Sequence, residues 1–338
     1  MQALTLTSPG GLDNLTLSTL ADPGRPGEGE VRVAIHATSL NYHDLLVAEG
    51  AMPTAHQRIL MADGAGVVEE VGEGVTEFAV GDRVVSCFFP QWADGLPFSR
   101  VADFTCTPGD GADGFAAEYV VRPASHFTHA PVGWSHAEAA TLTTSGLTAW
   151  RALVGDAILK AGDTMLALGT GGVSITALQI AKAMGARVII TSSSDEKLAQ
   201  ARTLGADETI NYRSTPDWGK AVQDLTDGTG ADVVIEVGGP GTLAQSVTAV
   251  RTGGHIALIG VLTGHEGVVP TSLLMAKQAK IQGLIVGNRR QQQDFIRALN
   301  QTGLRPVIGH RFTGLSSLAD AFALQRSGKH FGKITVEW

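Results

Sequence analysis

The chain has 338 residues, 43% apolar and 17% charged, which fits two compact domains. Its net charge of −8, with nothing concentrating positive charge, excludes nonspecific nucleic-acid binding. No apolar run is long enough to span a bilayer, no basic region precedes an apolar core at the N-terminus, and Cys87 and Cys106 are too few for a disulfide scaffold or a four-cysteine zinc site, so a cytoplasmic chain with reduced thiols is expected.

Residues 1–125 read as short strands between Gly/Pro turns, at 30–40, 66–71, 82–86 and 117–121. That pattern predicts a small β-barrel-like domain with a short helix over 41–48. Residues 87–113 form an irregular insertion carrying Phe88, Phe89, Trp92 and Phe98. A long loop in a compact domain is often functional, and these rings could wall an apolar substrate pocket. They could equally pin the loop to the core.

From about Pro131 the pattern turns α/β. Helical periodicity covers 135–142 and 146–154. The apolar run 164–168 then enters a turn of Gly169, Thr170, Gly171 and Gly172. A helix over 173–184 closes at Gly185, and a β-branched run follows at 187–191. Strand, glycine turn, helix and strand make half of a dinucleotide-binding unit. Gly169 permits a tight reversal, and Gly171 and Gly172 let bare backbone approach a pyrophosphate. The N–H groups that open the helix at Val173 suit that charge. Ser174 stands where the third glycine of the fingerprint would be and is still small.

Further strands are expected at 208–211, 233–237, 255–259 and 281–286, with helices at 196–204, 217–225, 242–250 and 271–279 between them. The alternation predicts a doubly wound parallel sheet. Residues 305–312 and 333–337 read as strands that rejoin the first domain. The expected organisation is therefore 1–125, an inserted nucleotide domain over 126–287, and a return over 288–338. Such an insertion predicts a substrate cleft where the two domains join.

Together these residues resemble the medium-chain dehydrogenase/reductase superfamily, in its zinc-free, quinone-oxidoreductase-like branch. The likeness rests on LNYHDLLVAEG at 40–50, DGAGVVEEVGEGV at 63–75, VGDRVV at 80–85 and GLTAW at 146–150. It continues through LGTGGVSITALQIAKAMGA at 168–186, SSSDEKLAQARTLGADETINYR at 192–213 and HFGK at 330–333. It implies a Rossmann sheet inserted in a GroES-like catalytic domain, hydride transfer with a nicotinamide, and a homodimer through the strand 281–286, an apolar edge that needs covering.

The resemblance also places site residues. Zinc members hold their metal with Cys, His and Cys; the matching places here carry Asn41, Ala62 and Thr144, so no metal is expected. His126, His129 and His136 form a rival cluster but read as ordinary histidines of an irregular linker. No acid ends the second nucleotide-domain strand. Ser193, Lys197 and Tyr212 match the 2′-phosphate contacts of NADPH quinone reductases, so NADPH is expected, with NADH possible. Thr170, Gly171, Gly172 and Val173 take the pyrophosphate. Gly238, Gly260, Val261 and Val286 fall near the nicotinamide.

Without zinc, hydrogen-bond donors must stabilise the developing oxyanion and a proton must arrive. The candidates are Asn41, Tyr42, His43 and Thr144, with Phe89 and Trp92 near the substrate. Asn41 can donate its amide, and His43 falls where alcohol dehydrogenases keep a relay hydroxyl. Asp44 could orient His43 or cap the helix. Relatives often carry a substrate-holding tyrosine shortly after this helix, where this chain reads Gly50-Ala51-Met52-Pro53. The expected reaction is reduction of a quinone or an α,β-unsaturated carbonyl. The alternatives are a zinc-free alcohol dehydrogenase and a non-catalytic NADPH-binding protein.

Overall fold

A ten-residue strand, Glu30–Ser39, is the spine of one half of the molecule. The computed structural model describes residues 1–338, the side chains of Arg100 and Ala102 excepted. It divides into two units, Met1–Leu147 with Val286–Trp338, and Thr148–Ile285.

In the first unit the spine pairs along one edge with Ala65–Val71. Its other edge is shared. Residues 30–34 pair with Tyr119–Pro123, and residues 37–39 pair with Lys333–Glu337. The sheet continues through Arg83–Ser86 and Phe127–His129 on one side and Ile308–Thr313 on the other. Alternation turns Val31, Val33 and Ile35 inward against Val68, Val84, Phe115 and Phe127. A second core gathers Leu45, Val47, Leu60, Phe322 and Val336. Full burial of a side chain such as Phe322 contributes roughly 1.5–3 kcal/mol.

The helix Tyr42–Ala48 begins directly after the spine. Asp44 Oδ2 accepts the Asn41 N–H at 2.9 Å, satisfying a donor at the helix start. The helix buries Leu45, Val47 and Ala48.

Residues 126–147 cluster with the first unit, whereas the sequence pattern attached them to the nucleotide domain. The reason is pairing: Phe127–His129 adds to Arg83–Ser86, and Thr143 Oγ1 donates to Ser86 O at 2.9 Å. Thr144 therefore belongs to the same unit as Asn41. It lies in a π-type turn, Leu142–Gly146, where Gly146 N–H reaches back five residues to Thr141 O. Such wide turns frequently mark functional positions.

The second unit is an all-parallel sheet of six strands. Their order is Glu208–Asn211, Arg187–Ser192, Thr164–Leu168, Ala231–Glu236, Val250–Leu258 and Lys280–Gly283. The winding direction reverses beside Thr164–Leu168, which makes its carboxyl end the switch point where such sheets bind ligands. Val188, Ile189, Ile190, Val233, Val234 and Ile235 are buried, as expected of strands covered on both faces. The last strand ends at Gly283, short of the expected Val286. Val286 has φ +47°, a left-handed conformation that a β-branched residue rarely adopts and that no strand continues through. Among the described residues no helix is long and apolar enough to cross a membrane.

Candidate functional site

The first unit brings Ser39, Asn41, Asp44, Asp63, Thr144 and Lys333 into one buried network. Asp63 leads into the strand Ala65–Val71, and Lys333 starts the strand Lys333–Glu337. Asp63 Oδ2 accepts Ser39 Oγ at 2.5 Å and Asn41 Nδ2 at 2.8 Å; its Oδ1 accepts Thr144 Oγ1 at 2.6 Å. Asn41 Nδ2 also donates to Asp44 Oδ2 at 3.1 Å. Lys333 Nζ donates to Leu40 O at 2.7 Å and to Asn41 Oδ1 at 2.6 Å, and stands 3.8 Å from Asp63 Oδ2. Ala62 N–H donates to Asp44 Oδ1 at 2.9 Å.

Burial sets the electrostatics. Loss of water, aided by the nearby Asp63 charge, pushes the Asp44 carboxyl up to about 6, although His43 and the amide donors oppose the shift. Burial likewise holds the Lys333 ammonium below the usual lysine range, while the two carboxylates pull the other way. A buried ammonium beside two carboxylates keeps the cluster near neutrality, the condition under which buried charges persist.

These contacts bear on a metal. Ala62 has no ligating side-chain atom. Asn41 Oδ1 is turned to an ammonium, and the Thr144 hydroxyl is turned to a carboxylate. This donor set does not fit a zinc ion, which takes thiolate, imidazole or carboxylate in a tetrahedron. Among the described residues no three His, Cys, Asp or Glu side chains gather as a metal site. His129 instead lies 3.2 Å from Glu77 O, and His136 packs on His36 at 4.8 Å. Burial lowers both His126 and His136 to about 4.

The other sequence candidates of this unit differ in exposure. Tyr42 is 40% exposed. His43 packs between Phe88 at 5.3 Å and Phe104 at 5.1 Å, with Asp110 beside it. Phe89 and Trp92 are buried in the same aromatic cluster, 6.3 Å apart. Trp92 Nε1 donates to Gly95 O at 3.1 Å, so these two rings tie the insertion to itself. Phe98 is the exposed ring. Val286 is buried in this unit.

In the second unit the glycine turn has the expected form. Gly169 has φ +71°, and Gly171 precedes the helix Gly172–Ala183 without a side-chain cap. The first-turn N–H groups at Gly172 and Val173 are thus offered to an anion. Thr170 is buried beside them. Ser174 is buried and donates to Leu168 O at 2.6 Å, locking helix to strand where a third glycine would only allow close packing.

Beyond the second strand, Ser194 caps the helix Asp195–Thr203 by accepting Lys197 N–H. Asp195 is held by Asn211 Nδ2 at 2.7 Å. Ser193 is half-buried, Tyr212 is exposed, and partial burial lowers Lys197 below the usual lysine range. At the ends of the middle strands, Gly238 and Gly239 N–H donate to the buried Glu236 carboxylate at 2.7 and 3.0 Å. A Cβ on Gly260 would sit 2.1 Å from Val237 O, so only glycine fits there, and Val261 follows it.

Asp63, Lys333, Asp110 and Glu236 are buried charged residues around these candidates for which sequence reasoning gave no role. A lysine opening an apolar strand, KITVE, was the visible signal for Lys333.

Residues 27–132 match the alcohol dehydrogenase GroES-like domain family, and residues 172–301 match the zinc-binding dehydrogenase family. A zinc-type alcohol dehydrogenase-like protein of Schizosaccharomyces pombe is 40% identical over 97% of this chain and 96% of its own. A crystal structure of an NAD-dependent alcohol dehydrogenase superposes with TM-score 0.89 at 36% identity, covering all of both chains. A quinone oxidoreductase of Pseudomonas syringae pv. tomato DC3000 superposes with TM-score 0.83 at 30% identity, covering 100% of this chain and 99% of the other. With a GroES-like unit, and a second unit whose six-stranded Rossmann-type sheet has a glycine turn at its switch point, this chain belongs to the medium-chain dehydrogenase/reductase superfamily and is an NAD(P)H-dependent oxidoreductase.

Proposed function

We propose that this protein reduces a quinone or an α,β-unsaturated carbonyl with NADPH and does so without zinc. The observation that carries the zinc-free reading is the Asn41–Asp63–Lys333 network, in which the Lys333 ammonium engages Asn41 Oδ1 and Asp63 engages Asn41 Nδ2 and the Thr144 hydroxyl. The likeness to a quinone oxidoreductase supports the substrate class.

Bound NADPH supplies the hydride. The acceptor oxygen then needs a hydrogen-bond donor and a proton. Asn41 has its amide hydrogens engaged by Asp44 and Asp63, so its part is to fix the start of the helix that presents Tyr42 and His43. The remaining donors there are the exposed Tyr42 hydroxyl and the His43 imidazole. NADPH is favoured because Ser193, Lys197 and Tyr212 follow a strand end that lacks an acid, and the nearest acid, Asp195, is bonded to Asn211. The protein would act as a homodimer through the edge strand Lys280–Gly283, after which Ile285 is exposed, and in a reducing cytoplasm suited to its free cysteines.

A second reading, zinc-free interconversion of alcohols and carbonyls, is favoured by the name of the fission-yeast relative. NADPH oxidation followed at 340 nm with chelator present, against quinones, enones and aldehydes in parallel, separates the two. Turnover of quinones or enones supports the proposal. Turnover of aldehydes alone moves the protein to the second reading. Activity abolished by chelator and restored by zinc overturns the metal-free reading. NADPH binding without turnover of any acceptor would make it a binding protein.

A further inference from the structure

The insertion meets the helix Tyr42–Ala48 at one polar pair. His43 Nε2 lies 3.3 Å from Asp110 Oδ2, and the two side chains are 14% and 9% exposed. Both atoms are buried, and neither makes an aligned hydrogen bond with any group. The turn that carries Asp110 also leaves Thr107 Oγ1 buried without a partner. Phe88 lies edge-on to the imidazole and Phe104 is tilted against it.

The contrast with the neighbouring carboxylates is informative. Asp63 and Asp44, the other buried aspartates of this unit, accept donors on both oxygens. A buried polar atom left unmet costs about 1–3 kcal/mol, and two of them facing each other call for a reason. Catalytic hydrogen bonds are often long or misaligned before substrate binds.

We propose that Asp110 is a positioning residue that holds His43 as the proton donor of the reduction. The inference rests on the functional reading above. With Asp110 facing Nε2, that nitrogen carries a proton in both charge states of the ring. Nδ1 is then the nitrogen left to donate to the acceptor. When hydride reaches the acceptor carbon, an electron pair moves onto the acceptor oxygen. The Nδ1–H bond of the imidazolium breaks with its electrons staying on nitrogen, an O–H bond forms, and the neutral ring takes back a proton from water. Two carboxylates stand beside His43, Asp110 from the insertion and Asp44 next to it on its own helix.

A purely structural latch between insertion and helix would show in stability and leave the pH profile in place. The test uses full-length protein carrying Asp110→Asn, Asp110→Glu or His43→Gln. It measures kcat and KM for the acceptor and for NADPH across pH, together with the His43 ring titration by NMR. Asp110→Asn should lower kcat about 10- to 100-fold and move the alkaline limb of the kcat profile to lower pH, with KM for NADPH unchanged. Asp110→Glu should restore part of the loss, and His43→Gln should remove the limb. Unchanged kcat and limb in Asp110→Asn overturn the proposal. If the wild type reduces no acceptor, it is the functional reading that has failed, and the NMR titration judges the pair by itself. A His43 midpoint moved to lower pH in Asp110→Asn upholds the pairing, and an unmoved midpoint refutes it. Should Asp110→Asn fail to fold, the Asp110→Glu profile decides, since a longer arm must displace the ring and shift the limb.

Discussion

The glycine turn of the second unit and the polar network of the first make opposite use of the chain. At the turn, the working groups are backbone N–H donors, and side chains contribute mainly by being absent. In the network every group that matters is a side chain, and the backbone only delivers it. The turn is written in one short run, Gly169–Val173, whereas the network joins Lys333 to Asn41 across 292 residues. Backbone chemistry tolerates sequence change as long as shape is kept, but a saturated buried network tolerates almost none, since each removed partner leaves another unmet.

The largest expected effect comes from breaking the network at its cation. Lys333→Met removes the donor to Leu40 O and Asn41 Oδ1 and leaves Asp63 and Asp44 as buried carboxylates without a neighbouring cation. It should cost about 3–5 kcal/mol of stability in urea unfolding. A loss under about 1 kcal/mol would show that the network relaxes or admits water, contrary to its sealed geometry.

The same network has a pH signature. The Asp44 carboxyl is raised from 3.8 to about 6 in the folded chain. Between about pH 4 and pH 6 the folded state therefore binds a proton that the unfolded state has released. Stability from this group is fully present below pH 4 and is lost as pH rises through 6, by roughly 2–3 kcal/mol. Asp44→Asn, though less stable throughout, should lack that slope. Equal slopes for variant and wild type between pH 4 and pH 6 would place the titration elsewhere.

What could be read from the sequence follows the same division. The sheet, its crossovers and the turn were legible because each is coded by contiguous periodicity and glycine spacing. Asn41 was legible as a candidate but not as one whose donors are spent, because its partners Asp63 and Lys333 come from distant stretches that meet only in the folded unit. Phe89 and Trp92 read as possible pocket walls, since aromatic spacing in an irregular loop does not say which faces are covered. The last strand was drawn to Val286 because Ile281–Val286 is apolar; a positive φ on a β-branched residue has no sequence signature. The domain boundary was set at 125 by the change to helical periodicity, while strand pairing carries the first unit on to Leu147.

A glycine substitution sharpens the comparison from the other side. A Cβ on Gly171 meets nothing within 4 Å, and the residue has an ordinary φ of −79°. Gly171→Ala should therefore leave the melting temperature nearly unchanged and still weaken dinucleotide binding by about 30-fold, near 2 kcal/mol, because the methyl group would stand where a pyrophosphate is expected to approach. Calorimetric titration with NADPH measures it. Unaltered affinity would mean that the phosphates do not approach over this residue.

The smallest effect separates the two cofactors. Lys197 lies in the first turn of the helix Asp195–Thr203, after a strand end with no acid to hold a ribose diol. A lysine there would meet the 2′-phosphate of NADPH as a point charge, an interaction that NADH cannot make. Lys197→Ala should raise KM for NADPH about tenfold, equivalent to 1.4 kcal/mol, and leave KM for NADH within about twofold. The partial burial that lowers this lysine disfavours its charge in the free protein. A 2′-phosphate there would restore that charge on binding, so the preference for NADPH should weaken as pH rises toward the lysine's titration. Equal losses for both cofactors would show that Lys197 acts on the adenosine as a whole or on the helix, and the discrimination would then have to come from Ser193 and Tyr212.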